Sequence, residues 1–202
     1  NMVSLRNFDA LELLSTTAER LSQGEILQIE KALKKEMTED IYYQMVGDKT
    51  ASLFSATCEI GAITSGADIE ARKAMAIFGE KLGIAFQIRD DLFDIMGTVD
   101  SIGKPIGFDV KKNMLTLPLI HMLKTVGDDK KNSIQRKLKR YASRKDFRNI
   151  RNLIESHGGI KYATDKMEEI SEEAMNELSI FPDSKYKDAL LSAVNFNLGR
   201  LS

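Results

Sequence analysis

Residues 86–94 read Phe-Gln-Ile-Arg-Asp-Asp-Leu-Phe-Asp and lie near the end of a predicted helix over 69–96. Because successive helical residues turn by about 100°, Met75, Phe78, Leu82 and Phe86 form one apolar stripe that we expect to face the core. Four polar side chains fall within an arc of about 100° that continues or flanks this stripe: Gln87, Asp90, Asp91 and Asp94. The helix therefore predicts carboxylates beside a buried face.

These three carboxylates, called the acid motif below, are candidate metal ligands. Carboxylates that crowd against apolar side chains repel one another and are costly to desolvate unless cations are supplied. Oxygen ligands suit Mg²⁺, which often shares its coordination shell with phosphate oxygens and water. The alternative is an acidic helix end that is simply solvated. The DDxxD pattern of Asp90, Asp91 and Asp94 leaves both interpretations open.

A lysine-bearing segment follows the acid motif. Residues 97–112 contain Gly, Pro, Ser and Asp and predict a loop. Lys104 lies in it directly after Gly103, and Lys112 ends it. Lysines on a loop that follows a metal-binding helix end are well placed to close over a diphosphate. Taken alone, such lysines indicate only an exposed surface, but beside the acid motif they favour diphosphate binding.

Composition narrows the class of protein. Charged residues make up 29% of the chain and the net charge is -1, which argues against nucleic-acid binding. The single cysteine, Cys58, cannot form an intrachain disulfide and favours a reducing cytosol. The first residues lack the apolar core of a signal peptide, and no stretch approaches the roughly 20 apolar residues of a membrane span. We expect a cytoplasmic protein without a transmembrane segment.

The chain predicts helices throughout, because it has three prolines in 202 residues and is rich in good helix formers. Thr38 resembles an N-cap, and residues 65–68 resemble a turn and cap. Gly24 lies inside the first helix at some local cost. No repeat or linker is visible, so we expect residues 1–202 to form a single all-α domain. Sequence patterns place its helices at 8–37, after Thr38 (a helix that carries residues 42–43 and 49–54), 69–96, 115–126, 130–140, 145–156, 159–178 and 182–199.

Three motifs within about thirty residues resemble the second aspartate-rich region of the trans-isoprenyl diphosphate synthases. They are residues 86–94, residues 103–109 (Gly-Lys-Pro-Ile-Gly-Phe-Asp) and residues 116–118 (Thr-Leu-Pro). Upstream, residues 24–28 (Gly-Glu-Ile-Leu-Gln) and 49–54 (Lys-Thr-Ala-Ser-Leu-Phe) are similar to further patterns of this family. The resemblance extends over nearly the whole chain, most closely to bacterial octaprenyl and polyprenyl diphosphate synthases. It implies an antiparallel helical bundle of the terpenoid synthase type.

The resemblance also implies roles for individual residues. Asp90 is similar to the direct Mg²⁺ ligand, which Asp91 and Asp94 support. Lys49 and Lys104 resemble the cations that grip diphosphate, and Phe86 resembles a wall of the substrate cavity. Two polar residues resemble groups near the allylic diphosphate and its reacting carbon: Thr50 and Gln87. The implied reaction is Mg²⁺-dependent, head-to-tail condensation of isopentenyl diphosphate with an allylic prenyl diphosphate in isoprenoid biosynthesis.

The chain departs from the family pattern in two ways. The family has another aspartate-rich motif, followed by paired arginines, on an earlier helix, and the 202 residues contain no such motif. We therefore expect a C-terminal part of a larger synthase, truncated at its N-terminus and inactive by itself. The family also often has Gly-Lys a few residues before Thr-Leu-Pro, where this chain has Asn113 and Met114. Lys111 or Lys112 is a candidate replacement for that substrate-binding lysine.

Two other functions stay open as alternatives. One is a non-catalytic partner subunit of a heteromeric synthase, which has no evident need of the acid motif. The other is a terpene cyclase of related fold, although Lys49, Thr50 and the Lys104 loop favour chain elongation. The resemblance further implies a homodimer. The basic run over 136–145 is typical of a solvated helix face, but it leaves open a transient membrane contact during product release.

Overall fold

The computed structural model describes residues 6–34, 36–96, 115–127, 134 and 144–199. Within those ranges the regular elements are all helical, which confirms the all-α prediction. They are α1 (Phe8–Lys34), α2 (Glu39–Val46), a π-helical turn (Gly47–Ala51) called the π segment below, α3 (Ser52–Thr64), α4 (Ile69–Met96), α5 (Leu117–Thr125), α6 (Arg144–Ser156), α7 (Gly159–Glu177), a 3₁₀ turn (Leu178–Ile180) and α8 (Lys185–Gly199).

Local sequence explains several helix ends. The side chain of Thr38 accepts a hydrogen bond from the backbone N–H of Ile41 at 3.3 Å and so caps α2, as predicted. Asp68 accepts from the N–H of Ala71 at 2.8 Å and caps α4 in the same way. Pro118 lies in the first turn of α5, where its missing N–H costs no helical hydrogen bond. The predicted helix over 130–140 lies outside the described residues, except for Ile134.

Helix α4 lies at the centre of the bundle, with α3 along one side and α7 along another. Ile88 and Leu92 of α4 belong to a cluster that also contains Tyr42 of α2, Leu117 of α5 and Met167 of α7. Full burial of an apolar side chain of this size contributes roughly 1.5–3 kcal/mol. The cluster therefore fixes α2 against the C-terminal half of α4, the half that carries the acid motif.

The predicted apolar stripe of α4 is only partly buried. Phe78 is fully enclosed and packs with Leu178 and Val194, while Met75 and Leu82 lie at the edge of that cluster. Phe86 is half-buried. Besides Phe78, the buried apolar residues of the helix are ones that the stripe did not include, because two neighbouring helices cover α4 from different directions: Ala74, Ala85, Ile88, Leu92 and Ile95.

None of the helices in the described ranges combines the length and the apolar character that a membrane crossing requires.

Candidate active site

The acid motif separates into an outer and an inner carboxylate. The side chain of Asp90 is 55% exposed, whereas Asp91 is only 4% exposed. Consecutive helical positions point about 100° apart, so one of the pair faces outward while the other enters the core. Asp94, about one turn further along α4, is half-buried. Asp90 is therefore the more accessible oxygen ligand for a cation.

Asp91 is held by hydrogen bonds from two different helices. The hydroxyl of Tyr42 donates to Asp91 Oδ2 at 2.6 Å, and Gln87 Nε2 donates to Asp91 Oδ1 at 3.1 Å. Hydrogen bonds to an ionised acceptor are roughly twice as strong as neutral ones. These contacts offset the cost of burying a carboxylate, and they tie α2 to α4.

A further hydrogen bond extends this group to the π segment. Thr50 Oγ1 donates to Gln87 Oε1 at 3.2 Å. The sequence pattern had singled out Thr50 and Gln87 separately, and the structure brings them into contact across 37 positions of the chain. Tyr42, Asp91, Gln87 and Thr50 thus form one connected set, called the polar network below.

Lys49 lies next to Thr50 but contacts another helix. Its Nζ donates to Gln28 Oε1 at 2.7 Å and lies 3.3 Å from Glu25 Oε1, both on α1. Two residues of the motif over 24–28 therefore contact the ammonium group. The side chain of Lys49 remains 31% exposed.

The π segment explains how adjacent residues reach two different helices. A π-helical turn spaces its hydrogen bonds at i→i+5, and such turns are frequent at functional sites. Its position is fixed by Arg20 of α1, whose guanidinium group contacts Asp48 at 2.8 Å and Glu80 of α4 at 2.8 Å. The Ser52 hydroxyl also donates to the carbonyl oxygen of Asp48 at 2.6 Å. The sequence predicted an uninterrupted helix here, and that detail is wrong.

Aromatic and cationic side chains flank the acid motif. Phe86 packs against Phe54 with ring centroids 5.5 Å apart, which supports its predicted place in an apolar wall. The guanidinium carbon of Arg89 lies 4.7 Å from the centroid of the Phe86 ring. Arg89 is buried, and its NH2 nitrogen is 4.0 Å from Asp90 Oδ1. A buried cation therefore lies directly beside the acid motif.

The carboxylates of the acid motif suit a metal ion that also binds phosphate oxygens and water better than a metal ion bound by protein side chains alone. Among the residues that the structure describes, no group of three or more His, Cys, Asp or Glu side chains is arranged to hold a metal ion. Mg²⁺ typically takes one or two carboxylates together with phosphate oxygens and waters. Asp90 suits such a role, with Asp94 one turn away. Asp91 has both carboxylate oxygens in hydrogen bonds to the protein.

Two predicted substrate-binding lysines, Lys104 and Lys112, lie outside the described residues. Two residues of the site, Tyr42 and Arg89, were not predicted from the sequence. The sequence did contain a hint of the role of Tyr42. This residue lies seven positions, about two helical turns, before Lys49, and it places a hydroxyl on an otherwise apolar helix face. A buried hydroxyl must find a partner, and the nearby carboxylates supply one.

The polyprenyl synthetase family profile matches residues 1–155. The chain belongs to the polyprenyl synthetase family. This match confirms the resemblance seen in the acid motif, and the relatives are named as polyprenyl diphosphate synthases, that is, trans-prenyltransferases. An all-trans-nonaprenyl-diphosphate synthase (geranyl-diphosphate specific) of Rhodobacter capsulatus is 31% identical over 200 residues, 99% of this chain and 61% of the relative. An octaprenyl diphosphate synthase of Escherichia coli is 27% identical over 199 residues, 98% of this chain and 62% of the relative.

Solved structures of this family share the fold. A decaprenyl diphosphate synthase from Rhodobacter capsulatus superposes with a TM-score of 0.91 at 30% identity, covering 100% of this chain and 62% of that one. A polyprenyl synthase from Caulobacter crescentus, complexed with calcium and isoprenyl diphosphate, gives a TM-score of 0.90 at 30% identity, again covering 100% and 62%. The bundle is therefore of the terpenoid synthase type. The chain spans about three fifths of the length of the relatives it matches.

Proposed function

We propose that this chain forms part of a Mg²⁺-dependent prenyltransferase that condenses isopentenyl diphosphate head-to-tail with an allylic prenyl diphosphate. One observation carries the proposal: the polar network joins Thr50, beside the partly exposed Lys49, to Asp91, beside the exposed Asp90. A cationic and an anionic group are thus held on either side of one hydrogen-bonded set. A substrate with a diphosphate and a divalent cation matches that pairing of charges.

Lys49 supplies the diphosphate side of the proposed site. A lysine ammonium carries three donors; the hydrogen bond to Gln28 engages one of them, and Glu25 lies within ion-pair distance. We propose that a diphosphate oxygen accepts from another. The contacts on α1 hold the long side chain in one orientation, so little rotamer freedom is lost when the anion binds. Lys104 and Lys112 are proposed to add further positive charge.

Asp90 supplies the metal side, with Asp94 as a second proposed ligand. Bound Mg²⁺ would neutralise the charge that develops on the departing diphosphate. Asp91, enclosed by Tyr42 and Gln87, is proposed to support the acid motif from inside and not to bind the metal directly. The Caulobacter crescentus synthase, which is complexed with calcium and isoprenyl diphosphate, supports the use of a divalent cation by a protein of this family.

Thr50, Phe86 and Phe54 act on the hydrocarbon part of the allylic substrate. In the proposed reaction the allylic C–O bond breaks, a C–C bond to isopentenyl diphosphate forms, and one proton is lost. Because Thr50 donates its hydroxyl proton to Gln87, its oxygen presents lone pairs, which stabilise positive charge on the reacting carbon. Phe86 and Phe54 form an apolar wall that excludes water from that carbon.

The direct test is a prenyl-transfer assay on the full-length protein that contains these 202 residues. Radiolabelled isopentenyl diphosphate, an allylic diphosphate and Mg²⁺ are expected to give products longer by five-carbon units. The proposal fails if the label stays in isopentenyl diphosphate. Conversion of the allylic substrate into a cyclic hydrocarbon would instead indicate a cyclase, and turnover that needs a second protein would indicate a partner subunit.

Three narrower proposals accompany the function. The 202 residues carry a single DDxxD motif, so we expect them to show no turnover alone, and product in the same assay would refute this. A homodimer is expected from the family resemblance and is tested by analytical ultracentrifugation. A cytoplasmic location is expected from the composition and the single cysteine, and is tested by fractionation of cells that express the full-length protein.

A further inference from the structure

Tyr42 lies between the apolar core and the candidate site, and no sequence motif includes it. It is 1% exposed and belongs to the cluster that holds α2 against α4. Its hydroxyl donates to Asp91 Oδ2 at 2.6 Å, in a hydrogen bond that is itself buried. Since no bulk water replaces a lost partner at a buried site, removal of this hydroxyl takes a donor from a buried carboxylate.

The hydrogen bonds of the polar network all point in one direction. An ionised carboxylate only accepts, so Asp91 requires the Nε2 end of the Gln87 amide to face it. The Oε1 end then faces Thr50, whose hydroxyl must donate. The orientation of the Gln87 amide and of the Thr50 hydroxyl therefore depends on where the Asp91 carboxylate is held, and Tyr42 contributes to holding it from outside α4.

We propose that Tyr42 is a positioning residue for prenyl transfer, an inference that rests on the proposed function. Tyr42 anchors Asp91, and through Asp91 it orients Gln87 and Thr50 toward the reacting carbon. It also fixes the separation between Lys49 on the π segment and Asp90 on α4, because it bridges the helix that leads into the π segment to the helix that carries the acid motif. Tyr42 acts through these residues and does not touch the substrate.

The neighbouring tyrosine supplies a matched control. Tyr43 is on the same helix, and its ring packs edge-on against Tyr42 with centroids 5.6 Å apart. Its hydroxyl is also buried, yet it has no hydrogen-bond partner among the residues that the structure describes. Removing the two hydroxyls in turn, as Tyr42→Phe and Tyr43→Phe, therefore compares a hydroxyl with a role in the polar network and one without.

The experiment uses the full-length protein and two readouts. Binding of inorganic diphosphate is measured by calorimetry across a range of Mg²⁺ concentrations, and kcat and KM are measured for prenyl transfer. Loss of an outer partner that supports the surroundings of a metal site typically weakens metal affinity or activity about 10- to 100-fold. We expect Tyr42→Phe to raise the Mg²⁺ requirement and lower kcat within that range, while Tyr43→Phe stays within about twofold of the wild type.

A purely structural role for Tyr42 predicts a different pattern. Tyr42→Phe would then lower the unfolding temperature while leaving the Mg²⁺ requirement and kcat unchanged in the molecules that remain folded, and that result would overturn the proposal. Equal effects of Tyr42→Phe and Tyr43→Phe on the Mg²⁺ requirement would overturn it as well.

A second measurement keeps the proposal testable if Tyr42→Phe does not fold. In wild-type protein labelled with ¹⁵N at glutamine, the Gln87 side-chain amide is expected to exchange slowly and to shift in Asp91→Asn. A rapidly exchanging Gln87 amide in the wild type contradicts the network. If the wild type binds no diphosphate and transfers no prenyl group while this amide is protected, the proposed function has failed and the network has not.

Discussion

A β-carbon built on Gly24 would lie 2.4 Å from the backbone nitrogen of Lys49. No real side chain tolerates that separation, so the glycine in the middle of α1 lets the π segment approach the helix backbone. The sequence showed only the cost of Gly24 to helix stability. The structure shows what the glycine permits, which is the close placement of Lys49 beside Glu25 and Gln28.

Gly24→Ala is expected to push the π segment away from α1 and to weaken diphosphate binding about tenfold or more, since a small misplacement of a binding group has large effects. Gly61→Ala is the matched control, because Gly61 lies in α3 with no atom within 4 Å of an added β-carbon. That change is expected to leave binding unaltered and to stabilise the fold by roughly 0.5–1 kcal/mol. Calorimetric titration and denaturant unfolding measure both effects. Equal binding by the two variants would contradict this role of Gly24.

Lys49→Met is expected to weaken binding of inorganic diphosphate about tenfold or more, because it removes a charge-assisted donor from the site. Lys161→Met serves as the control, because Lys161 is exposed on α7 and pairs with Asp165 one turn away. Surface pairs of this kind contribute about 0–1 kcal/mol. Isothermal titration at two salt concentrations measures the loss. Similar affinities for both variants would remove Lys49 from the site.

Asp90→Asn is expected to impair metal-dependent binding, and Asp91→Asn is expected to impair stability. Asp90 is exposed, so its amide variant should unfold within about 0.5 kcal/mol of the wild type but lose Mg²⁺-dependent diphosphate binding. Asp91 accepts two hydrogen bonds inside the protein, so its amide variant should lose about 1–3 kcal/mol of stability. Denaturant unfolding and calorimetry of both variants test the contrast. A large loss of stability in Asp90→Asn would reverse the assignment of outer and inner carboxylate.

Alkaline pH is expected to weaken the fold partly through Tyr162. Burial, together with the hydrogen bond that its hydroxyl donates to Glu39, raises the pKa of Tyr162 to about 12 from the ordinary value of 10.0. The folded state therefore holds this proton more tightly than the unfolded chain does. The resulting stability is fully present below about pH 10 and is lost as the pH rises toward about 12.

Burial also raises the pKa of Tyr43, which adds to the same trend. The free energy of unfolding, measured by urea denaturation from neutral to alkaline pH, is expected to fall less steeply in Tyr162→Phe than in the wild type. Tyr186→Phe is the control, since Tyr186 is exposed. Identical slopes for the wild type and Tyr162→Phe would exclude this contribution.

Much of the fold was predictable because it depends on local patterns. The bounds of α4, the cap at Thr38 and the start of α5 near Pro118 follow from periodicity, capping and proline geometry. The π segment did not, because it is fixed by Arg20, which is distant in sequence and contacts both Asp48 and Glu80. No local pattern encodes such a contact.

The candidate site, like the fold, was only partly predictable from local sequence patterns. The pairing of Thr50 with Gln87 agrees with the residues that the family motifs single out, and the structure adds the contact itself. Helix α2 determines which aspartate faces inward. The Tyr42 hydroxyl donates a hydrogen bond to Asp91, while Asp90 stays at the surface. That choice is made by packing between helices, and an acidic triplet alone cannot reveal it.

The most direct test is a crystal structure of the full-length protein with Mg²⁺ and inorganic diphosphate. We expect an Asp90 oxygen about 2.0–2.1 Å from the metal, Lys49 Nζ within hydrogen-bond distance of the diphosphate, and Asp91 still hydrogen-bonded to Tyr42 and Gln87. A metal bound by Asp91 after its release from Tyr42, or a diphosphate bound away from Lys49, would contradict it.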